Sequence, residues 1–351
     1  AANQLERMVE EQWAQLQNVN DVGGVTLLRT IGILRAFSAY SDAAIWDAIE
    51  ARKQGRQAEQ PRTLKAPEWQ VLSNPAQAPQ TRHFRAVRTA APQGYERQIR
   101  EVVLIERLRE VRALIGFTRI TSLGDVEEQE GADSNRPAPL SRQQPAWVPA
   151  TEVHGEGVFL HFDEQAIQSW SARPAVAEHH NSFQIAHRRW RQQRRLDPAQ
   201  GYPGLRFVLL HTFAHALIRQ LSLACGYATA SIRERIYALD ATAEDGPMAG
   251  ILLYTAAADS EGTLGGLVRL GRPEELGRHI TLALESMRLC ASDPLCAEHA
   301  AGTDPGILHG AACHACMFMP ETSCERGNRY LDRSLLVPTI ERNDLAFFGG
   351  V

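Results

Sequence analysis

The residues whose types and spacing speak most directly of chemistry are cysteines. Of six (Cys225, Cys290, Cys296, Cys313, Cys316 and Cys324), five fall within thirty-five residues near the C-terminal end. Cys313 and Cys316 have the two-residue spacing that lets both thiolates of one tight turn reach a single ion, with backbone amides pointing at the sulfurs. Tetrahedral zinc takes four ligands. The spacing predicts Cys313, Cys316 and Cys324 as three of them, with Cys296 or Cys290 as the fourth and His314 or His309 as weaker substitutes. Iron–sulfur ligation is the competing chemistry for the same thiols, and a set of ordinary buried thiols is the reading without metal. Where thiols are kept reduced, such clustering reads as metal ligands rather than disulfides. A closed four-sulfur zinc site leaves no open position for substrate, so it argues for folding and docking, not catalysis.

Other residues are weighed the same way. His211 and His215 lie four apart on one helical face, yet Thr212 stands where a zinc protease has Glu, so core histidines are the preferred reading. With Asp259 and Glu261, which follow the apolar run ending at Thr255 and precede the glycine-rich turn Gly262–Gly266, they make the alternative: a metal-dependent hydrolase or nuclease. Val158 to Glu164 imitates the apolar strand ending in Asp-Glu of motor ATPases, but the sequence has no P-loop, and the match is read as accidental. Arg188, Arg189, Arg191, Arg194 and Arg195 with Trp190 form a basic stretch suited to phosphate or to a protein partner. A solvated helix face is the plainer reading. No residue is assigned as catalytic.

Elements must position these groups. Leu5 to about Ala48 has helical spacing, a polar run from Arg52 to Pro61 reads as a surface loop, and Glu68 to Arg88 reads as short extended pieces. Glu96 to Ile115 is predicted helical, with Ile99, Val102, Val103, Leu108, Val111 and Leu114 near one face and Gly116 as the stop. Ser122 to Pro145, acidic and rich in Gly, Pro, Ser and Gln, reads as a flexible linker. Beyond it come a buried strand at Gly157–Phe162, a helix from Asp163 to Trp170, an apolar helix from Phe207 to Cys225 stopped by Gly226, strands at Ser231–Leu239 and Gly250–Thr255, and a helix from Pro273 to about Leu289. The expectation is a mixed α/β, helix-rich fold in three parts: a helical region over 1–121, a linker over 122–145, and an α/β domain over 146–351 with a cysteine-ligated zinc module at about 285–330.

Composition narrows the setting. The chain has 351 residues, 44% hydrophobic, enough to bury a substantial core in two or so domains. A net charge of −4 argues against a uniformly basic nucleic-acid binder. Thirty-five of the thirty-seven cationic side chains are Arg, a bias that GC-rich codon usage also produces. No run of eighteen consecutive apolar residues and no signal-peptide pattern is seen, so the expected location is the cytoplasm, with no membrane partner. The first residue is not Met, so the chain is expected to be a piece of a longer polypeptide.

Three stretches, Leu210–Arg219, Leu253–Leu267 and Gly310–Cys316 continuing to Cys324, together resemble the DrmB family of the DISARM anti-phage system; Arg329–Arg333 and Asp344–Phe348 are similar too. The specific motifs cover about residues 200 to 348. The family's C-terminal domain also occurs as a zinc-binding module fused to bacterial superfamily-two helicases. The resemblance implies an accessory subunit that partners a helicase-like protein, DrmA-like, and reaches phage DNA through the complex alongside a methyltransferase. It further implies four cysteines on a structural zinc, with Cys313, Cys316 and Cys324 matching directly and Cys290 or Cys296 completing the set.

Overall fold

A computed structural model describes residues 5, 8–9, 12–38, 40–53, 64–78, 80–118, 138–141, 147–255, 266–303 and 306–349. It divides into two compact units, Ala1–Ala66 and Pro67–Val351. In the first, helices α1 (Trp13–Leu16), α2 (Val22–Thr30) and α3 (Asp42–Lys53) enclose Leu16, Val25, Phe37, Ile45 and Ile49. Asp21 caps α2, its carboxylate accepting from the Gly24 amide at 2.7 Å and satisfying a donor that the helix start leaves open. Among the described residues the helical reading holds for Trp13–Leu16, Val22–Thr30 and Asp42–Lys53. Arg52 and Lys53 complete α3, and most of the polar run after them lies outside the described residues.

The second unit is built on one antiparallel sheet in the order β1-β2-β5-β7-β6. Its strands are β1 (Arg85–Thr89), β2 (Ile99–Ala113), β5 (Ala150–Phe162), β6 (Ile232–Leu239) and β7 (Met248–Thr255); β3 (Gly116–Phe117) and β4 (Ala138–Pro139) form a separate ribbon. β2 corrects the helix predicted over 96–115. Its apolar residues fit a helical stripe, but Val102, Val103 and Ile105 are β-branched, and from Glu106 to Ala113 partly covered and exposed positions alternate along the strand. Pairing on both sides decided between the two periods: Val103 lies opposite Arg88 on β1 and Phe159 on β5. The segment 68–88 is corrected in the opposite sense, since Lys65–Ser73 forms helix α4 and only Arg85–Thr89 is extended.

Because β2 pairs with β5, residues 85–113 share a sheet with 150–162, and the units divide at Ala66 rather than at a linker over 122–145. Most of that predicted linker lies outside the described residues. The strand ending at Phe162, the helix after it, the central apolar helix, the strands ending at Leu239 and Thr255 and the helix from Pro273 match expectation. Asp163 caps α5 (Glu164–Ser171), accepting from the Ala166 amide at 2.8 Å. The imitation of an ATPase acid pair is thus a helix cap beside Glu164, which pairs with Arg206 at 2.6 Å.

α6 (Pro174–Gln193) leads into α7 (Gly204–Cys225), the central helix, which packs against β6, β7, the short helix α8 (Gly266–Leu270) and α9 (Pro273–Met287). Gly226 ends α7 with φ 71°, a left-handed cap that suits glycine. By length and composition α7 could cross a membrane, but 78% of its most apolar window is buried inside the fold, as befits a core helix. Phe213 alone stacks on Phe348 at 5.0 Å between ring centroids and meets Phe162 edge-on at 5.6 Å.

Candidate metal centres

Four thiols meet behind α9. Cys290 follows that helix, Cys296 sits on the single-turn helix α10 (Leu295–Glu298), and Cys313 and Cys316 flank one tight turn. The sulfurs lie 3.5 Å (Cys290 to Cys313), 3.7 Å (Cys296 to Cys316) and 3.8 Å (Cys313 to Cys316) apart, all four within 4.8 Å of one another. A tetrahedral zinc with Zn–S of about 2.3 Å requires sulfur edges of about 3.8 Å. Disulfides would need S–S near 2 Å. The residues fit zinc.

The surroundings prepare the site for negative charge. The Ser292 amide donates to Cys290 Sγ at 3.4 Å, and the Cys290 amide donates to the Asp293 carboxylate at 2.8 Å. Asp293 pairs with the guanidinium of Arg333, a fully buried side chain that also donates to the Met287 and Arg288 carbonyls at 2.8 and 3.2 Å. Arg333 also lies against Cys296. A hydrogen bond from Cys316 and then the guanidinium hold the Cys296 thiol down at about 5, while Cys316, donating to that thiolate, is pushed far up. A zinc with four thiolates would carry net charge −2, and Arg333, itself balanced by Asp293, places a guanidinium against one of those sulfurs.

The membership of the cluster corrects the prediction at one position. Both Cys290 and Cys296 belong to it, and Cys324 does not. Ser323 ties the chain to the Thr229 carbonyl at 3.0 Å, and Cys324 Sγ then meets His211 Nε2 at 3.1 Å. His309 and His314 are not ligands here: His309 Nδ1 bonds the Gly310 carbonyl at 3.0 Å, and His314 packs edge-on against Phe318.

Among the described residues, His211 and His215 on α7 converge with a carboxylate and a thiol. Asp259 and Glu261 lie outside the described residues. The partners are Glu234 on β6 and Cys324, and the four ligand atoms lie within 4.8 Å of one another. His211 Nε2 is 2.9 Å and His215 Nε2 3.6 Å from the same oxygen, Glu234 Oε1. Burial works against the charged forms of both histidines, yet Glu234 and Cys324 outweigh it, raising His215 to about 9 and His211 well above its ordinary value. Burial likewise pushes the Cys324 thiol up, but the two imidazoles bring it to about 7.

Thr212, standing in the position of a protease base, bonds the Val208 carbonyl at 2.6 Å and accepts from the Asp332 amide at 3.0 Å. The sequence reading missed Glu234, though the signal was present. Ile232, Glu234 and Ile236 alternate along β6, which places a carboxylate on a core-facing position between two fully buried isoleucines.

The basic stretch closes α6 and splits by burial. Arg188, Arg189, Arg194 and Arg195 are exposed, whereas Trp190 and Arg191 are buried. Arg191 donates to the Asp197 carbonyl, and Trp190 is covered by the guanidinium of Arg194, 4.0 Å from its ring centroid, with Arg329 at 5.2 Å. The indole is thus enclosed by the protein's own arginines rather than presented to a base.

A four-thiol site held between a central apolar helix and an irregular C-terminal segment defines a zinc-binding domain, and residues 213–317 match the family described as the MrfA Zn-binding domain. That interval contains all four clustered cysteines and ends before Cys324. Over 273 residues, 76% of this chain, the sequence is 38% identical to the DISARM protein DrmB of Bacillus paralicheniformis, as the resemblance in its motifs implied. The match takes in 46% of that relative, so the chain spans about half the length of the curated protein it resembles.

Proposed function

We propose that the chain is an accessory, non-enzymatic component of a DISARM anti-phage defence system. It binds a helicase-like, DrmA-like subunit and assists engagement of phage DNA in the cytoplasm. The carrying observation is the closed cluster of Cys290, Cys296, Cys313 and Cys316 inside a domain matched to a zinc-binding family, in a chain 38% identical to DrmB. Four protein sulfurs leave a zinc ion no position for water or substrate, which supports a structural ion that secures a docking surface. Arg188, Arg189, Arg194 and Arg195, exposed at the end of α6, are the side chains suited to phosphate or to an acidic partner.

The test is co-expression with the helicase-like subunit. The expected result is one complex by size-exclusion chromatography, DNA affinity above that of either protein alone, and no ATP or DNA turnover by the chain by itself. Turnover by the isolated chain, abolished by a point substitution within it, would overturn the accessory reading.

A further inference from the structure

We propose that His211, His215, Glu234 and Cys324 hold a second divalent metal ion, zinc, distinct from the four-thiol site. All four side chains are enclosed, two nitrogens, a carboxylate oxygen and a sulfur within 4.8 Å of one another. The imidazoles are aimed from behind. A carbonyl can only accept, so His211 Nδ1, 3.2 Å from the Tyr330 carbonyl, and His215 Nδ1, 3.0 Å from the Met317 carbonyl, each carry the proton. Both Nε2 atoms then turn toward Glu234 Oε1. Backbone carbonyls behind metal-bound histidines are the usual way to fix ring orientation and tautomer.

The sulfur is prepared in the same manner. The chain after Cys324 turns through left-handed backbone at Gly327, Asn328 and Tyr330 (φ 55°, 60° and 59°). That conformation is uncommon for a residue as bulky as tyrosine. It brings the amides of Arg326 and Asn328 to Cys324 Sγ at 3.4 and 3.2 Å and delivers the Tyr330 carbonyl to His211. One strained turn thus supplies two donors to a thiolate and one acceptor to an imidazole.

Protons alone leave this group unsatisfied. Among the described residues, His215 Nε2 and Glu234 Oε2 are buried polar atoms with no hydrogen-bond partner, a costly arrangement in a protein interior. With a divalent cation, two neutral imidazoles, one carboxylate and one thiolate sum to zero charge, which suits a dry site. For zinc with nitrogen and oxygen ligands near 2.0–2.2 Å and sulfur near 2.3 Å, ligand edges run about 3.4–3.6 Å. Three of the six edges, at 2.9, 3.1 and 3.6 Å, lie within about half an ångström of these, and the other three are no longer than 4.8 Å. With four protein ligands the ion would be structural, joining α7, β6 and the C-terminal segment.

The experiment counts metal in the full chain by plasma mass spectrometry and reads its ligands by zinc-edge X-ray absorption. Two zinc ions per chain are expected, one lost in Glu234→Gln/Cys324→Ser and the other in Cys296→Ser/Cys316→Ser. The absorption of the unsubstituted chain needs no variant to fold: two sites give an average of about 2.5 sulfurs per zinc, the four-thiol site alone gives about four. One zinc in an all-sulfur shell, or no zinc, overturns the second site. One zinc in a shell dominated by nitrogen and oxygen upholds it and overturns the four-thiol reading instead.

Discussion

His215 donates through Nδ1 to the carbonyl of Met317 at 3.0 Å, and Met317 directly follows Cys316 of the four-thiol cluster. The central helix is therefore tied to the turn that carries two of the cluster's sulfurs. Arg219 of the same helix donates to the Ala315 carbonyl at 3.0 Å, so two hydrogen bonds hold the turn of the four-thiol cluster to the helix that carries both histidines.

Replacing Cys313 and Cys316 by Ser should remove the zinc of the four-thiol site and lower the melting temperature by more than about 10 °C, since structural zinc sites contribute folding free energy of several kcal/mol or more. Metal content and a thermal melt check both halves. A chain that loses its zinc but melts unchanged would assign the ion no structural role.

Arg333→Met should cost about 3–5 kcal/mol, because it strips Asp293 of its buried partner and leaves the Met287 and Arg288 carbonyls without their donor. Urea unfolding measures the loss. Zinc affinity should fall about 10–100-fold, the usual effect of removing a group that orients metal ligands. A chelator competition reads it.

Gly310→Ala should destabilise by about 1–3 kcal/mol or more. A methyl there would sit 2.0 Å from the Asp332 carboxylate, itself held at 2.9 Å by His179 Nε2. The relevant comparison is the denaturation midpoint against Gly94→Ala, where the added carbon meets nothing within 4 Å and only the positive φ of 86° opposes it.

Stability should carry an acid limb from Asp332. Burial alone would raise its carboxyl, but the bond from His179 and the Ser334 hydroxyl and amide outweigh it and hold the group below its ordinary 3.8. A depressed folded-state value means that the stabilisation is complete above that ordinary value and is lost as pH falls below it toward the folded one. Unfolding free energy measured from pH 6 downward should therefore drop more steeply in the native chain than in Asp332→Asn, which starts lower.

The exposed arginines make the DNA-directed part of the proposal testable. Arg188→Ala/Arg189→Ala should weaken DNA binding by the complex and flatten its salt dependence by up to about two phosphate contacts. Trp190→Ala should instead act as a core lesion costing about 3–5 kcal/mol, since its ring is 2% exposed. Equal losses of DNA affinity with unchanged stability in both variants would contradict this division.

Much of the second unit was legible from local pattern. The cap at Asp163, the stop at Gly226, the all-round apolar face of α7 and the strand ending at Phe162 are each specified by residues within one or two turns of each other. β2 was not, because Val102, Val103, Leu108 and Val111 satisfy a helical stripe and a strand equally well. Its state was decided by β1 and β5, whose residues pair with it from as near in sequence as Thr89 with Val102 to as far as Ile99 with Phe162.

The order of residues alone determined that a metal-binding turn exists at Cys313 and Cys316, since a two-residue spacing is a short-range property of the backbone. Which thiols complete it was decided by tertiary structure. Cys324 lies nearer in sequence to that turn than Cys290 does, yet the anchoring of Ser323 to Thr229 carries it away to His211, 113 positions earlier. Ligand sets are fixed by distances of a few ångströms between side chains, and those distances follow from how α7 crosses β6, not from separation along the chain.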